Sequence, residues 1–495
     1  MNYTGTRSKY SISAAEAITR GIAGDGGLFV PECFPGFSGD EISKLIDMDY
    51  RKRAVAVLEK YLTDFTAEEL KACVEGAYCG TFDNDNPAPL RQVNDKTFLL
   101  DLWHGPTCAF KDLALQLLPH LLTRSAARTM PDKEIVILVA TSGDTGKAAL
   151  DGFADVPGVK IIVFFPENGV SAIQKLQMTT QKGGNVAVCA IKGNFDDAQT
   201  GVKNIFSDPE MTAKLAEKGL VFSSANSINF GRLVPQIIYY VSAYCDLVKN
   251  GKLRQGETFN VTVPTGNFGN ILAAVYAKRM GIPIGRFICA SNKNCILTDF
   301  IKTGVYDRNR EFHLTSSPSM DILISSNLER MLYHLYDGNT AEVSGLMADL
   351  KSKGKYTVSA EILAKLQSEF SAGFCDDADA EQAIRNLFDS TGMLCDTHTA
   401  VAVKVLENYR KETGDNTPCV IASTASAYKF APAVLPAVSA DPVPQDGFEV
   451  IEKLFNITGE PVPASLATLK EQPVLHNTTV EKSQMADFIL QFCSR

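Results

Sequence analysis

The spacing of apolar and polar positions changes character near residue 95. Before it, apolar residues recur at helical intervals, broken by Gly24-Asp25-Gly26-Gly27-Leu28-Phe29-Val30-Pro31, a glycine turn followed by a short apolar stretch. Asn84-Asp85-Asn86-Pro87-Ala88-Pro89 reads as a linker. After it, short apolar runs at 97–102, 134–140, 160–165, 186–191, 258–263, 286–290 and 419–423 alternate with helical segments at 111 to about 122, 147–153, 233–248 and 270–280. Unbroken Val/Ile runs such as Glu134-Ile135-Val136-Ile137-Leu138-Val139-Ala140 suit strands covered on both faces, as in parallel sheets. The pattern predicts an α/β protein with a mainly parallel, doubly wound sheet and right-handed crossovers. Residues 296–380 break the rhythm with more charge and more helix formers, and are expected to form an inserted helical region. The expected organisation is a mostly helical N-terminal domain (1–95), an α/β core (96–295), the helical insertion (296–380) and a C-terminal part completing the core (381–495).

A chain of 495 residues is too long for one hydrophobic core, and 45% apolar with 21% charged residues is ordinary for a globular protein. The net charge of -9, without any basic run, argues against a nucleic-acid partner. The 12 cysteines include no CxxC pair and read as reduced thiols of a cytoplasmic protein. The 6 histidines are far apart in sequence, so no spacing proposes a metal. The first ten residues are polar and lack the apolar core of a secretory signal, and no stretch is apolar for long enough to span a membrane.

Chemistry concentrates where strands give way to helices. In His104-Gly105-Pro106-Thr107-Cys108-Ala109-Phe110-Lys111-Asp112 the glycine-proline break delivers Lys111 to the first turn of a helix just beyond a strand's carboxyl end. The positive end of a helix disfavours an ammonium and favours the neutral amine that attacks carbonyls, whereas an ordinary lysine there is merely solvated. Thr141-Ser142-Gly143-Asp144-Thr145-Gly146-Lys147 follows another strand. It is not a nucleotide P-loop, since Thr141 and Ala148 stand where that pattern needs glycine and a hydroxyl. Pro264-Thr265-Gly266-Asn267-Phe268-Gly269-Asn270 falls short of a dinucleotide fingerprint but suits a small anion or a plain tight turn. Ser423-Thr424-Ala425-Ser426 and the stretch from Ser223 through Asn226, Ser227 and Asn229 to Arg232 offer hydroxyls, amides and one guanidinium, or only helix caps.

These motifs in this order, HGPTCAFK, SGDTG, SANSINFGR, PTGNFGN and a late STA loop, resemble the threonine synthase family. The opening YTGTRSKYSISAAEAITRGIAGDGGLFVP and the internal SPSMDILISSNLERMLYHL extend the resemblance over nearly the whole chain. It implies the pyridoxal phosphate (PLP) fold type II of the tryptophan-synthase β-subunit, with Lys111 forming a Schiff base with the cofactor. Gly266, Asn267, Phe268 and Gly269 would cradle the cofactor phosphate, Thr424 would meet the pyridine nitrogen and Asn226 the ring hydroxyl. Ser142, Asp144 and Thr145 match the family's substrate loop, and Lys147, Ser227, Asn229 and Arg232 would contact substrate phosphate or carboxylate. The implied reaction converts O-phospho-L-homoserine and water to L-threonine and phosphate, in a monomer or homodimer. One departure is Ser426-Ala427-Tyr428, where many relatives carry His-Pro-Ala, so no role of that histidine is transferred to Ser426. The rivals are another lyase of the same fold, such as a threonine or serine dehydratase or a sulfhydrylase, and a non-catalytic protein that binds phosphate esters.

Overall fold

The computed structural model describes every residue but Ser142, Gly169 and Arg495, and describes Asp196 without its side chain. The unbroken apolar runs become the middles of two sheets. One sheet is ordered Thr478–Glu481, Val186–Lys192, Val159–Pro166, Glu134–Ala140, Leu220–Ser223, with every neighbouring pair parallel. The other runs Phe370–Phe374, Ile284–Ser291, Phe259–Pro264, Cys419–Ser423, Thr97–Asp101, Leu90–Asn94, parallel except for the last pair. Non-consecutive strands lie side by side in both, as doubly wound crossovers require.

Three edge strands depart from the sequence reading. Leu90–Asn94 pairs antiparallel with Thr97–Asp101 although it lies in the region expected to be mostly helical. Phe370–Phe374 pairs parallel with Ile284–Ser291, so the segment expected to be a helical insertion also builds the main sheet. Thr478–Glu481 joins the smaller sheet, so the C-terminal part serves both sheets. An edge strand needs an apolar pattern on one face at most, and Thr478–Glu481 buries none of its residues.

The lysine-bearing helix is shorter than expected. It stops after Lys111–Leu115, and a second helix, Leu118–Thr129, begins after two intervening residues. Pro119 accounts for the break, because its ring meets the carbonyl four residues back, that of Leu115, and it has no N–H to donate. That carbonyl lies against Gly152 of the helix Asp144–Phe153, where an added Cβ would stand 2.0 Å from the Leu115 oxygen. The contact brings the lysine helix onto the helix that carries Asp144. Gly152→Ala gains about 1 kcal/mol of helix propensity, but the overlap with rigid backbone outweighs it. A net loss of about 2 kcal/mol is expected in urea unfolding, and an unchanged midpoint would contradict the packing.

Phe230–Lys249 is buried nearly end to end and packs on Lys111–Leu115, Tyr50–Tyr61 and Gly269–Arg279. It thereby fixes the lysine helix relative to the helix that follows the glycine loop. No helix among the described residues is long and apolar enough to cross a membrane.

Candidate active site

Lys111 stands at the head of its helix because the preceding turn is tightly specified. Gly105 permits the turn, since a Cβ there would lie 2.5 Å from that of Asp112. The Phe110 amide donates to the Thr424 carbonyl at 2.8 Å, tying the turn to the end of strand Cys419–Ser423. The Lys111 side chain is 11% exposed, and its Nζ lies 3.3 Å from Asp144 Oδ2 and 3.3 Å from Ser319 Oγ. Burial pushes the amine below its ordinary pKa; Asp144 opposes the shift, and the charges of Lys429 and Arg232 add to it.

Asp144 opens its own helix and is surrounded by donors. Lys429 Nζ lies 2.9 Å from Oδ1, Gln174 Nε2 donates to Oδ1 at 3.0 Å, and Ser319 Oγ donates to Oδ2 at 3.2 Å. Burial alone would raise this carboxyl, but Lys429, Lys111 and the Gln174 amide together hold it well below the usual range. Gly143 has φ 143°, and a Cβ there would meet Gln174 at 2.4 Å, so only glycine allows the amide to reach Asp144.

The glycine loop lies against the same cluster. Ser319, which touches Lys111, places its carbonyl 2.8 Å from the position of a Cβ on Gly266. Phe268 takes a left-handed conformation at φ 63°, and no side chain caps helix Gly269–Arg279. Among the described residues the amides of 266–271 donate to no protein oxygen. Such a run of free amides at a helix N-terminus fits a phosphate, and a desolvated amine nearby fits a carbonyl. The residues present therefore fit PLP.

Asp112, beside Lys111, is fully buried and accepts from the amide and hydroxyl of Thr107 at 2.8 and 2.6 Å. Burial first, then Asp151, pushes its carboxyl up to about 6. A raised folded-state value means that the protonated form stabilises the fold, so this contribution is full below about pH 4 and lost as pH rises through about 6. Asp112→Asn should remove the dependence. Relative to the wild type, the variant should gain about 3 kcal/mol between about pH 3.5 and about pH 7, and parallel unfolding curves across that window would contradict it.

The remaining sequence candidates divide. The Thr424 hydroxyl and the Asn226 side chain have no hydrogen-bond partner among the described residues, and both belong to loops at strand ends. Ser227 Oγ accepts from Asn327 Nδ2 at 3.3 Å. Arg232 is 3% exposed and donates to the Ala225 carbonyl, and among the described residues its buried Nε has no partner and its guanidinium meets no carboxylate; burial lowers it to about 10. Thr145 is half-buried, and Ser142 lies outside the described residues. The other two candidates have partners within the protein. Asn229 caps helix Phe230–Lys249 and gives both amide hydrogens to the carbonyls of Ile18 and Ser224, because the buried chain entry needs them. Lys147 turns along its own helix to Asp151 and to Gln181.

Sequence reasoning missed Ser319, Lys429, Gln174 and the His398–Asp396 pair. Ser319 N donates to His398 Nε2 at 3.0 Å, so the ring proton lies on Nδ1 and faces Asp396 Oδ2 at 2.6 Å. The signal for Ser319 was present in SPSMD, but nothing local placed that segment over the lysine. Ser426, at the divergent position, caps the turn Ala427–Phe430. A cavity of about 360 Å³ lined by Met130, Leu215, Leu220 and Phe222 lies at the opposite end of the strands and holds none of these groups.

A family model for the threonine synthase N terminus matches residues 2–78, one for pyridoxal-phosphate dependent enzymes 84–424, and one for the threonine synthase C-terminal region 399–486. Threonine synthase of Pseudomonas aeruginosa is 38% identical over 436 residues, covering 88% of this chain and 90% of that protein. The chain belongs to the threonine synthase family. The crystal structure of PLP-bound threonine synthase from Brucella melitensis superposes with a TM-score of 0.89 at 35% identity, covering 100% of both chains. The fold type implied by the sequence motifs is thus the observed one. Human threonine synthase-like 1 is 42% identical over 483 residues, covering 96% of this chain, which spans 63% of that longer protein. The threonine synthase family consists of PLP-dependent lyases, and PLP is the cofactor that this fold accommodates.

Proposed function

We propose that this chain catalyses γ-elimination of phosphate from O-phospho-L-homoserine followed by addition of water at Cβ, giving L-threonine and phosphate. The observation that carries the reading is the desolvated amine of Lys111, held 3.3 Å from Asp144 and from a serine that abuts an uncapped glycine loop. When bound, PLP supplies the electron sink for negative charge developing at the substrate's Cα. Lys111 bonds the cofactor and, once freed by substrate, takes and returns protons at Cα and Cβ. The amides of 266–271 hold the cofactor phosphate, Thr424 meets the ring nitrogen and Asn226 the ring hydroxyl.

Asp144 and Thr145 bind substrate in this reading together with Ser142 and Ser227, and Arg232 binds its phosphate. A buried guanidinium without a carboxylate favours a phosphorylated substrate over serine or threonine, which bring no second anion to bind. The twelve free thiols support a reducing, cytoplasmic location.

Isotope placement tests the reaction class. In ¹⁸O-labelled water the label should enter the threonine hydroxyl and be absent from the released phosphate, because the C–O bond breaks. Label in phosphate with homoserine as co-product would identify a hydrolase and overturn the proposal.

A further inference from the structure

Asp144 is one carboxylate shared by two buried lysines. Lys429 Nζ lies 2.9 Å from Oδ1 and also donates to the Thr107 carbonyl at 2.8 Å, with its side chain 0% exposed. Among the described residues Lys111 Nζ makes two longer hydrogen bonds of 3.3 Å, to Oδ2 and to the Ser319 hydroxyl. Two ammoniums on one carboxylate would leave a net positive charge in a desolvated site, which is costly. The proton belongs on the lysine with the shorter contacts and the second acceptor.

We propose that Lys429 is a positioning residue that claims Asp144 and thereby leaves Lys111 as the free amine able to bond the cofactor. Nothing in the local sequence marks it, since it sits in a short turn, Ala427–Phe430, more than three hundred positions from Lys111. The charged groups acting on Lys111 are Asp144 from helix Asp144–Phe153, Lys429 from that turn and Arg232 from helix Phe230–Lys249; Asp112, next to it in sequence, is turned to Thr107, and His398 reaches the cluster through Ser319. Lys429 and Arg232 both act against a second ammonium, whereas Asp144 is the carboxylate in contact that favours one, beside the Ser319 hydroxyl and the Phe110 ring 5.2 Å from Nζ. Removing Lys429 leaves Lys111 as the cation in contact with that carboxylate, beside the neutral donors Gln174 and Ser319.

The inference rests on Lys111 being the lysine that bonds PLP, and its test reads cofactor loading rather than turnover. The full chain, freed of cofactor, is mixed with PLP from about pH 6 to about pH 10, and the rate of appearance of the visible band is followed. In Lys429→Met the midpoint of the rate profile should move up by about one unit or more, so loading near neutrality slows about tenfold. Lys429→Arg should keep the wild-type midpoint. A midpoint that stays in place or moves down in Lys429→Met, including loading slowed equally at every pH, would overturn the proposal. Lys429→Gln removes the same charge while keeping a donor for Thr107 and serves if the methionine variant does not fold. Loading that survives Lys111→Ala would overturn the assignment of Lys111 itself, and the inference with it.

Discussion

Lys111→Ala is expected to lose threonine formation by about four orders of magnitude or more. The variant should also show no visible band after incubation with PLP. The expectation follows from placement. Lys111 is the amine set at a helix head beside the glycine loop, and the buried amine of Lys429 in the same cluster is occupied by Asp144 and Thr107. Folding should survive, because Asp144 keeps Lys429 and Gln174 as donors when Lys111 is truncated. Unfolding midpoints therefore separate loss of chemistry from loss of structure. A variant that retains a tenth of wild-type turnover would remove Lys111 from its central role.

Arg232→Met should lower kcat/KM for O-phospho-L-homoserine about a hundredfold, the cost of about 3 kcal/mol for removing one partner of a buried charged contact. Its effect on stability should have the opposite character. In the free protein the guanidinium is buried, with no partner for Nε and no carboxylate among the described residues, so its burial costs free energy that methionine does not incur. The unfolding midpoint of the variant should stay level or rise while kcat/KM falls. A fall in both, in proportion, would make Arg232 a structural residue that supports the Ala225 carbonyl. Inhibition by inorganic phosphate should weaken in parallel with kcat/KM, since the same group is proposed to receive the product.

The central strands were legible because both faces of each are buried, which forces Val/Ile runs that no helix period explains. Leu90–Asn94 and Thr478–Glu481 were not, because an edge strand exposed on a face tolerates a polar sequence. The break after Leu115 was written in Pro119, but its meaning depends on Gly152 leaving room for the Leu115 carbonyl, a contact between distant segments.

The site divides in the same way. Lys111, the SGDTG turn and the glycine loop are local devices in which a few adjacent residues make a strand-to-helix turn, so their sequence states their geometry. Ser319, Lys429 and His398 arrive from segments whose role depends on the crossover topology. Asn229 shows the converse, since its motif suggested a ligand contact while its amide and oxygen are occupied by helix Phe230–Lys249 and the chain before it.

The most direct test of the central claim is to incubate the purified chain with O-phospho-L-homoserine and quantify threonine and phosphate in the same samples over time. Equimolar threonine and phosphate are expected from the PLP-loaded protein, and neither from Lys111→Ala. Phosphate without threonine, or no turnover of O-phospho-L-homoserine by protein that carries the cofactor band, would contradict it.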